Sequence, residues 1–219
     1  MIFANRSAAG LSLAWRLEKY ADQNDVIVLA VPRGGVPVAF EVAQALHVPL
    51  DIFLLRKLGV PGHPELAFGA IASGGVRVLD RQTLLALQIS QVDVAAVTAR
   101  EQQELKRREL VYRGDQPALP VAGKTVIVVD DGIATGASML AGIHALRELR
   151  PAKIVIAVPV APPEACARLA YEVDEIVCVA EPEHFRAVGQ FYDDFAQTED
   201  HEVIDLLAKN RKALVSRAA

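Results

Sequence analysis

The run Val126–Met139, VIVVDDGIATGASM, puts two adjacent carboxylates, Asp130 and Asp131, after an apolar stretch and before a chain of small residues. Neighbouring carboxylates repel and small residues bury little area, so neither choice serves stability. Both serve a phosphorylated, hydroxyl-bearing ligand. Ala134, Thr135, Gly136, Ala137 and Ser138 open a helical pattern, and a helix N-terminus offers N–H groups and a favourable dipole to a phosphate. With a 5′-phosphate held there, the 2′- and 3′-hydroxyls of a sugar would reach back to Asp130 and Asp131. Carboxylates accept hydrogen bonds from such hydroxyls and can order water around Mg²⁺. Their mutual repulsion is expected to be relieved only when cation and hydroxyls arrive.

Two other segments carry complementary chemistry. In Val31–Pro37, VPRGGVP, Gly34 and Gly35 let backbone N–H groups approach an anion and Arg33 adds charge. In RKLG, Arg56 and Lys57 supply two more cations. Each feature has a plainer use when taken singly: a helix cap, a tight turn, a solvated strand end. His63 and Glu65 are weaker candidates on the segment that follows. His47, His144, His184 and His201 read as surface residues. Cys166 and Cys178 lack metal-ligand spacing and read as small core hydrophobes. Phe191, Tyr192 and Phe195 are either core or a lid that stacks on a flat base.

Short apolar runs without alternation must position these residues: Val26–Val31, Leu50–Leu55, Thr125–Asp130, Lys153–Val160 and Glu175–Ala180. Such runs suit strands covered on both faces of a parallel sheet. Helical faces lie between and before them, at Leu13, Leu17 and Tyr20, at Ala39, Val42, Ala43 and Leu46, and at Met139, Ile143 and Leu146. The pattern predicts an α/β fold, an open, mainly parallel sheet flanked by helices, with ligands at the carboxyl ends of the strands. Gly59, Pro61, Gly62 and Pro64 predict a loop over Arg56–Pro64. AFGAIA and VRVL predict a hairpin around Ser73–Gly75, and Gln91–Arg113 reads as one long helix with a solvated, mixed-charge face. Asp115–Gly123 reads as a linker. The 219 residues suit one domain, and a net charge of −4 gives no reason to expect nucleic-acid binding. Two cysteines, no signal core and no membrane-length apolar run suggest a cytoplasmic protein.

The apolar strand, two acids, Thr-Gly and closing Ser of Val126–Ser138 resemble the signature of the type I phosphoribosyltransferase family, with Gly132 where a bulkier aliphatic residue is usual. VPRGGVP resembles that family's pyrophosphate loop, and Arg56-Lys57 the basic pair that opens its mobile catalytic loop. The whole chain is similar to a bacterial group of predicted phosphoribosyltransferases of unestablished substrate, whose C-terminal segment Val188–Leu207 resembles. The resemblance implies one domain over residues 1–219, with a core at about 22–182 and a hood from about 1–21 and 183–219. It implies binding of 5-phosphoribosyl 1-pyrophosphate (PRPP) with Mg²⁺ and transfer to a nitrogen nucleophile, as in nucleotide salvage. The site so implied has Arg33, Gly34, Gly35, Asp130, Asp131 and Ala134–Ser138 on PRPP, with Arg56, Lys57, Asp131 and Glu65 as catalytic candidates. Asp130 and Asp131 would reach the metal through water. The resemblance also implies a mobile loop over Leu58–Gly74 and a cis Arg33–Gly34 bond. Ala134 stands where 6-oxopurine enzymes of the family carry an Asp, so hypoxanthine and guanine are expected to be poor acceptors. The expected partners are PRPP and a small nitrogenous acceptor, with a homodimer left open. A non-catalytic PRPP- or nucleotide-binding regulator is the alternative. A P-loop NTPase is excluded by the absence of G-x-x-x-x-G-K-[ST].

Overall fold

The computed structural model describes residues 2–218, and the side chains of Pro64, Glu65 and Ala218 lie outside that description. Five strands form one sheet: β1 (Val26–Ala30), β2 (Leu50–Ile52), β6 (Thr125–Val129), β7 (Lys153–Val160) and β8 (Glu175–Ala180). Their order is β2-β1-β6-β7-β8, and every pair is parallel. The two-residue period of a strand divides their side chains between two faces. Val26, Val28, Ile127, Val129 and Val155 meet helices α1 (Arg6–Arg16), α2 (Gly35–Leu46) and α7 (Asp200–Ala218). Ile27, Leu29, Val126, Val128, Ile154 and Ile156 meet α5 (Ala137–Glu148) and α6 (Pro163–Ala170). The expected doubly covered parallel sheet is therefore the observed one. Leu13 and Leu17 near the N-terminus and Val203 and Leu207 near the C-terminus share the first of these cores. A smaller cluster joins Phe3 to Phe191 and Tyr192, and Phe3 bridges to Tyr192 in parallel.

The second sheet departs from expectation. Leu50–Leu55 is not one strand. After Ile52 the chain passes to an antiparallel sheet of β3 (Leu55–Val60), β4 (His63–Ala72) and β5 (Val76–Leu79). Buried Ser73 marks the handover: its Oγ accepts from Leu54 N at 3.0 Å, and its own N donates to Leu54 O at 2.9 Å. The predicted loop Arg56–Pro64 is mostly strand, because its glycines and prolines sit where a hairpin tolerates them. Gly59 lies at a register shift and Gly62 turns with φ 79°. Pro64 lies beyond the stretch of β4 that pairs with β5, which starts at Gly69. The predicted AFGAIA/VRVL hairpin is β4–β5. A short helix, α3 (Arg81–Ala86), escaped the periodicity argument because it buries no residue. The predicted long helix is α4 (Gln91–Arg113), which packs Val94, Val97 and Leu105 into the core beside the hairpin. At its end, buried Arg113 donates to Asp51 Oδ1 and to Ile52 O, both at 2.8 Å. That tie fixes α4 across the carboxyl end of β2.

Candidate active site

Paired strands lie about 4.8 Å apart, so the segments leaving the carboxyl ends of β1 and β6 must meet. They touch closely enough to require glycine. A Cβ on Gly34 would stand 2.1 Å from Asp131 Oδ2, and one on Gly35 would stand 2.8 Å from Val129 O. The cis peptide of this segment is Pro32–Arg33, one bond before the expected Arg33–Gly34. On the β6 side, Gly136 adopts φ 71° and starts α5, leaving Ala134, Thr135, Ala137 and Ser138 exposed at the helix mouth.

A cleft of about 150 Å³ lies against these segments, and Pro32, Lys57, Arg108, Asp130 and Ser138 line it together. The basic pair is split by the strand that carries it. Successive side chains on β3 face opposite ways, so Lys57 reaches the cleft. Arg56 turns to α4, where its Nε donates to Glu101 Oε2 at 2.9 Å. Arg108 was missed in sequence because the mixed charges of α4 read as a solvated face. Nothing local distinguishes it from Arg107, and only the long-range packing of α4 brings it here. A second cleft of about 320 Å³ shares Pro32 and Arg108 with the first and adds Arg33, Arg107, Tyr112 and Asp200. There Arg33 Nη1 lies 3.7 Å from Glu199 and 3.8 Å from Asp200.

The two acids are not equivalent. Arg6, from the first turn of α1, donates to Asp131 Oδ2 through Nε at 2.9 Å and Nη2 at 2.8 Å. The expectation that repulsion waits for ligand is therefore corrected: an arginine from a distant part of the chain already neutralises Asp131. The same guanidinium stacks 4.0 Å from the ring centre of Phe195 and donates to Ala196 O at 2.6 Å. Asp130 accepts only from the backbone N of Asp131, at 2.8 Å, among the described residues. Burial first, and then the charge of Asp131, push its carboxyl well above the ordinary carboxylate range. Among the aromatics, Phe191 and Tyr192 are core, and Tyr192 Oη donates to Asp131 O at 2.5 Å. Phe195 remains half exposed over Arg6. His63 is exposed at the hairpin tip, and the side chain of Glu65 lies outside the described residues.

Gly132 has a packing reason. A Cβ there would meet Val188 Cγ1 at 2.6 Å, so the C-terminal segment occupies the space that a bulkier residue would take. Gly132→Ala is expected to destabilise the fold by about 1–3 kcal/mol through overpacking. Adding Val188→Ala should recover most of that loss in chemical denaturation, and no recovery would remove Val188 as the cause.

Comparison with known proteins agrees with this architecture. Residues 4–196 match the phosphoribosyl transferase domain model. A provisionally named phosphoribosyl transferase of Mycobacterium tuberculosis H37Rv, Rv0571c, is 44% identical over 218 residues, which is 100% of this chain and 49% of the relative. The chain thus spans about half the length of the curated relatives it matches. The crystal structure of TT1426 from Thermus thermophilus is 41% identical, with a TM-score of 0.84 over 95% of this chain and 99% of that one. AQ2163 from Aquifex aeolicus, 13% identical over 92% of this chain and 84% of its own, shares the fold at a TM-score of 0.51. On the domain match and the 41% identity to TT1426 over nearly the full length of both chains, this chain belongs to the phosphoribosyl transferase domain family.

Proposed function

We propose that the chain binds PRPP with Mg²⁺ and transfers its 5-phosphoribosyl group to a nitrogen nucleophile, releasing pyrophosphate, in the cytoplasm. The observation that carries this reading is the convergence of Lys57, Arg108, Asp130 and Ser138 on one cleft at the strand ends. Residues 134–138 would hold the 5′-phosphate at the α5 N-terminus, and Asp130 and Asp131 the ribose hydroxyls. Gly34, Gly35 and Arg33 would hold the pyrophosphate. The bond from C1 to pyrophosphate oxygen breaks as the acceptor nitrogen bonds to C1, and the electron pair leaves with pyrophosphate. Lys57 and Arg108 would stabilise the charge that grows there. The proton lost by the acceptor would go to a base on the β3–β4 hairpin, where Glu65 is the candidate, or on the hood near Phe195. The β3–β4 hairpin, Leu58–Gly74, would close over the site and keep water out. The residues present fit Mg²⁺: Asp130 is a hard oxygen donor on the cleft wall that lacks a cationic partner among the described residues. When bound there, Mg²⁺ would neutralise polyphosphate charge.

In this reading Arg108→Ala raises the KM for PRPP by about tenfold or more, the worth of a hydrogen bond to a charged group. Steady-state kinetics at varied PRPP checks this, and an unchanged KM would return Arg108 to the solvated face. Ala134 has no side-chain donor or acceptor, so kcat/KM should favour adenine-like amino heterocycles or non-purine amines over hypoxanthine and guanine. Efficient use of either 6-oxopurine would end the argument from that position.

One observation favours a second reading, a PRPP- or nucleotide-binding regulator without turnover: Arg56 is held by Glu101 on α4 and does not line the cleft. Pyrophosphate release from PRPP across a panel of bases, amines and amides separates the two. Release with any acceptor supports the transferase, whereas PRPP binding with no release supports the regulator.

A further inference from the structure

Cys166 and Cys178 stand 12 positions apart, a spacing that suggests no metal motif. The fold brings them together. Cys166 lies on α6, buried beside Leu169 and Ala165, and Cys178 lies half-buried on β8. Glu181 follows β8 directly and is exposed. One sulfur from each cysteine and one carboxylate oxygen of Glu181 all lie within 4.8 Å of one another. A tetrahedral zinc ion with Zn–S of about 2.3 Å and Zn–O of about 2.0 Å sets its ligand atoms about 3.5–3.8 Å apart, so small side-chain rotations close the site. We propose that Cys166, Cys178 and Glu181 form a binding site for one thiophilic divalent cation of the zinc class, separate from the PRPP cleft.

Three features support it beyond proximity. The ligand set suits zinc, since two thiolates are soft donors that a hard ion such as Mg²⁺ does not select. One sulfur lies in an apolar core, where the attraction between thiolate and cation is little screened. Glu181 is exposed, which leaves the outer side of the site open for a fourth ligand from water. Binding displaces one proton from each thiol, giving a cation held by two thiolates and a carboxylate. The site would tie α6 to β8. α6 also carries Arg168, whose Nη2 lies 3.2 Å from where a Cβ on Gly136 would stand in the phosphate loop.

The test uses the full, reduced chain. Co²⁺ is titrated first, as a spectroscopic probe, and Zn²⁺ then competes against a chromophoric chelator. One equivalent of Co²⁺ should give a near-ultraviolet thiolate-to-metal band that Zn²⁺ removes. Cys166 sits in the core, so the variants are the more accessible Cys178→Ser and Glu181→Gln. Each should weaken Zn²⁺ binding by at least about tenfold, and Cys178→Ser should also lower the band. Absence of the band in the wild type, or unchanged Zn²⁺ affinity in both variants, would overturn the proposal. So would a protein purified without reductant whose two thiols are protected as a disulfide and whose reduced form takes up no metal.

Discussion

Asp130→Asn is expected to weaken binding of PRPP with Mg²⁺ by about 10- to 150-fold, and to raise the melting temperature of the free protein. The two effects have one cause. Asp130 lines the cleft without a cationic partner among the described residues, and burial with the neighbouring charge of Asp131 raises its carboxyl well above 3.8. A folded-state value raised in this way stabilises the fold only while the group is protonated. That contribution is complete below the unfolded value and is lost as pH rises through the folded one. As pH rises above the unfolded value, the buried carboxyl of Asp130 therefore opposes folding. Asn keeps an oxygen for the N–H of Asp131 and removes the charge. For a chain of this size each kcal/mol gained moves the melting temperature by about 2–4 °C. The gain over wild type should shrink as the buffer is made acidic, because wild-type Asp130 then takes up its proton. In the same pH range wild-type affinity for PRPP with Mg²⁺ should fall. A variant that binds as tightly as wild type removes Asp130 from the site, and one that melts lower contradicts the electrostatic account.

Lys57→Ala is expected to cost about 10²–10³ in kcat, the scale seen when one group that stabilises developing charge is removed, with a smaller rise in the KM for PRPP. Lys57 lines the cleft with Asp130 and Ser138, and its charge matters most as pyrophosphate departs. Arg56→Ala should behave differently. Arg56 donates to Glu101, which is buried and held below its usual range despite that burial by hydrogen bonds from Arg56 and Arg100. Removing Arg56 leaves that carboxylate with one cationic partner fewer and loosens the hairpin from α4. Thermal stability should drop before turnover does. If both variants lose kcat alike with no change in stability, Arg56 leaves Glu101 during the reaction and the pair acts as a unit.

The parallel sheet was legible because Val- and Ile-rich runs buried on two faces leave a mark that needs no tertiary information. The turn into α5 was legible for a related reason: Gly136 and its small neighbours answer to local backbone geometry. The second sheet was not, because Gly59, Gly62 and Pro64 serve loops and hairpins equally well, and only the pairing of Arg56 with Ile71 and Lys57 with Ala70 decides between them. Which of Arg56 and Lys57 faces the cleft follows from that strand, so it too was out of reach. Arg6 and Arg108 belong to the same class. Each is an ordinary helix arginine until packing sets it against Asp131, 125 residues away, or into the cleft with Lys57 and Asp130. Local chemistry carries the proposal of a ligand, while the charges set around Asp130 and Asp131 arrive through long-range contacts.

Isothermal titration of PRPP into the wild-type chain, with Mg²⁺ and again with EDTA, tests the central claim most directly. The account predicts saturable binding at one site that is lost or weakened at least about tenfold when the cation is removed. Absence of binding in both conditions, or equal affinity in both, would contradict it.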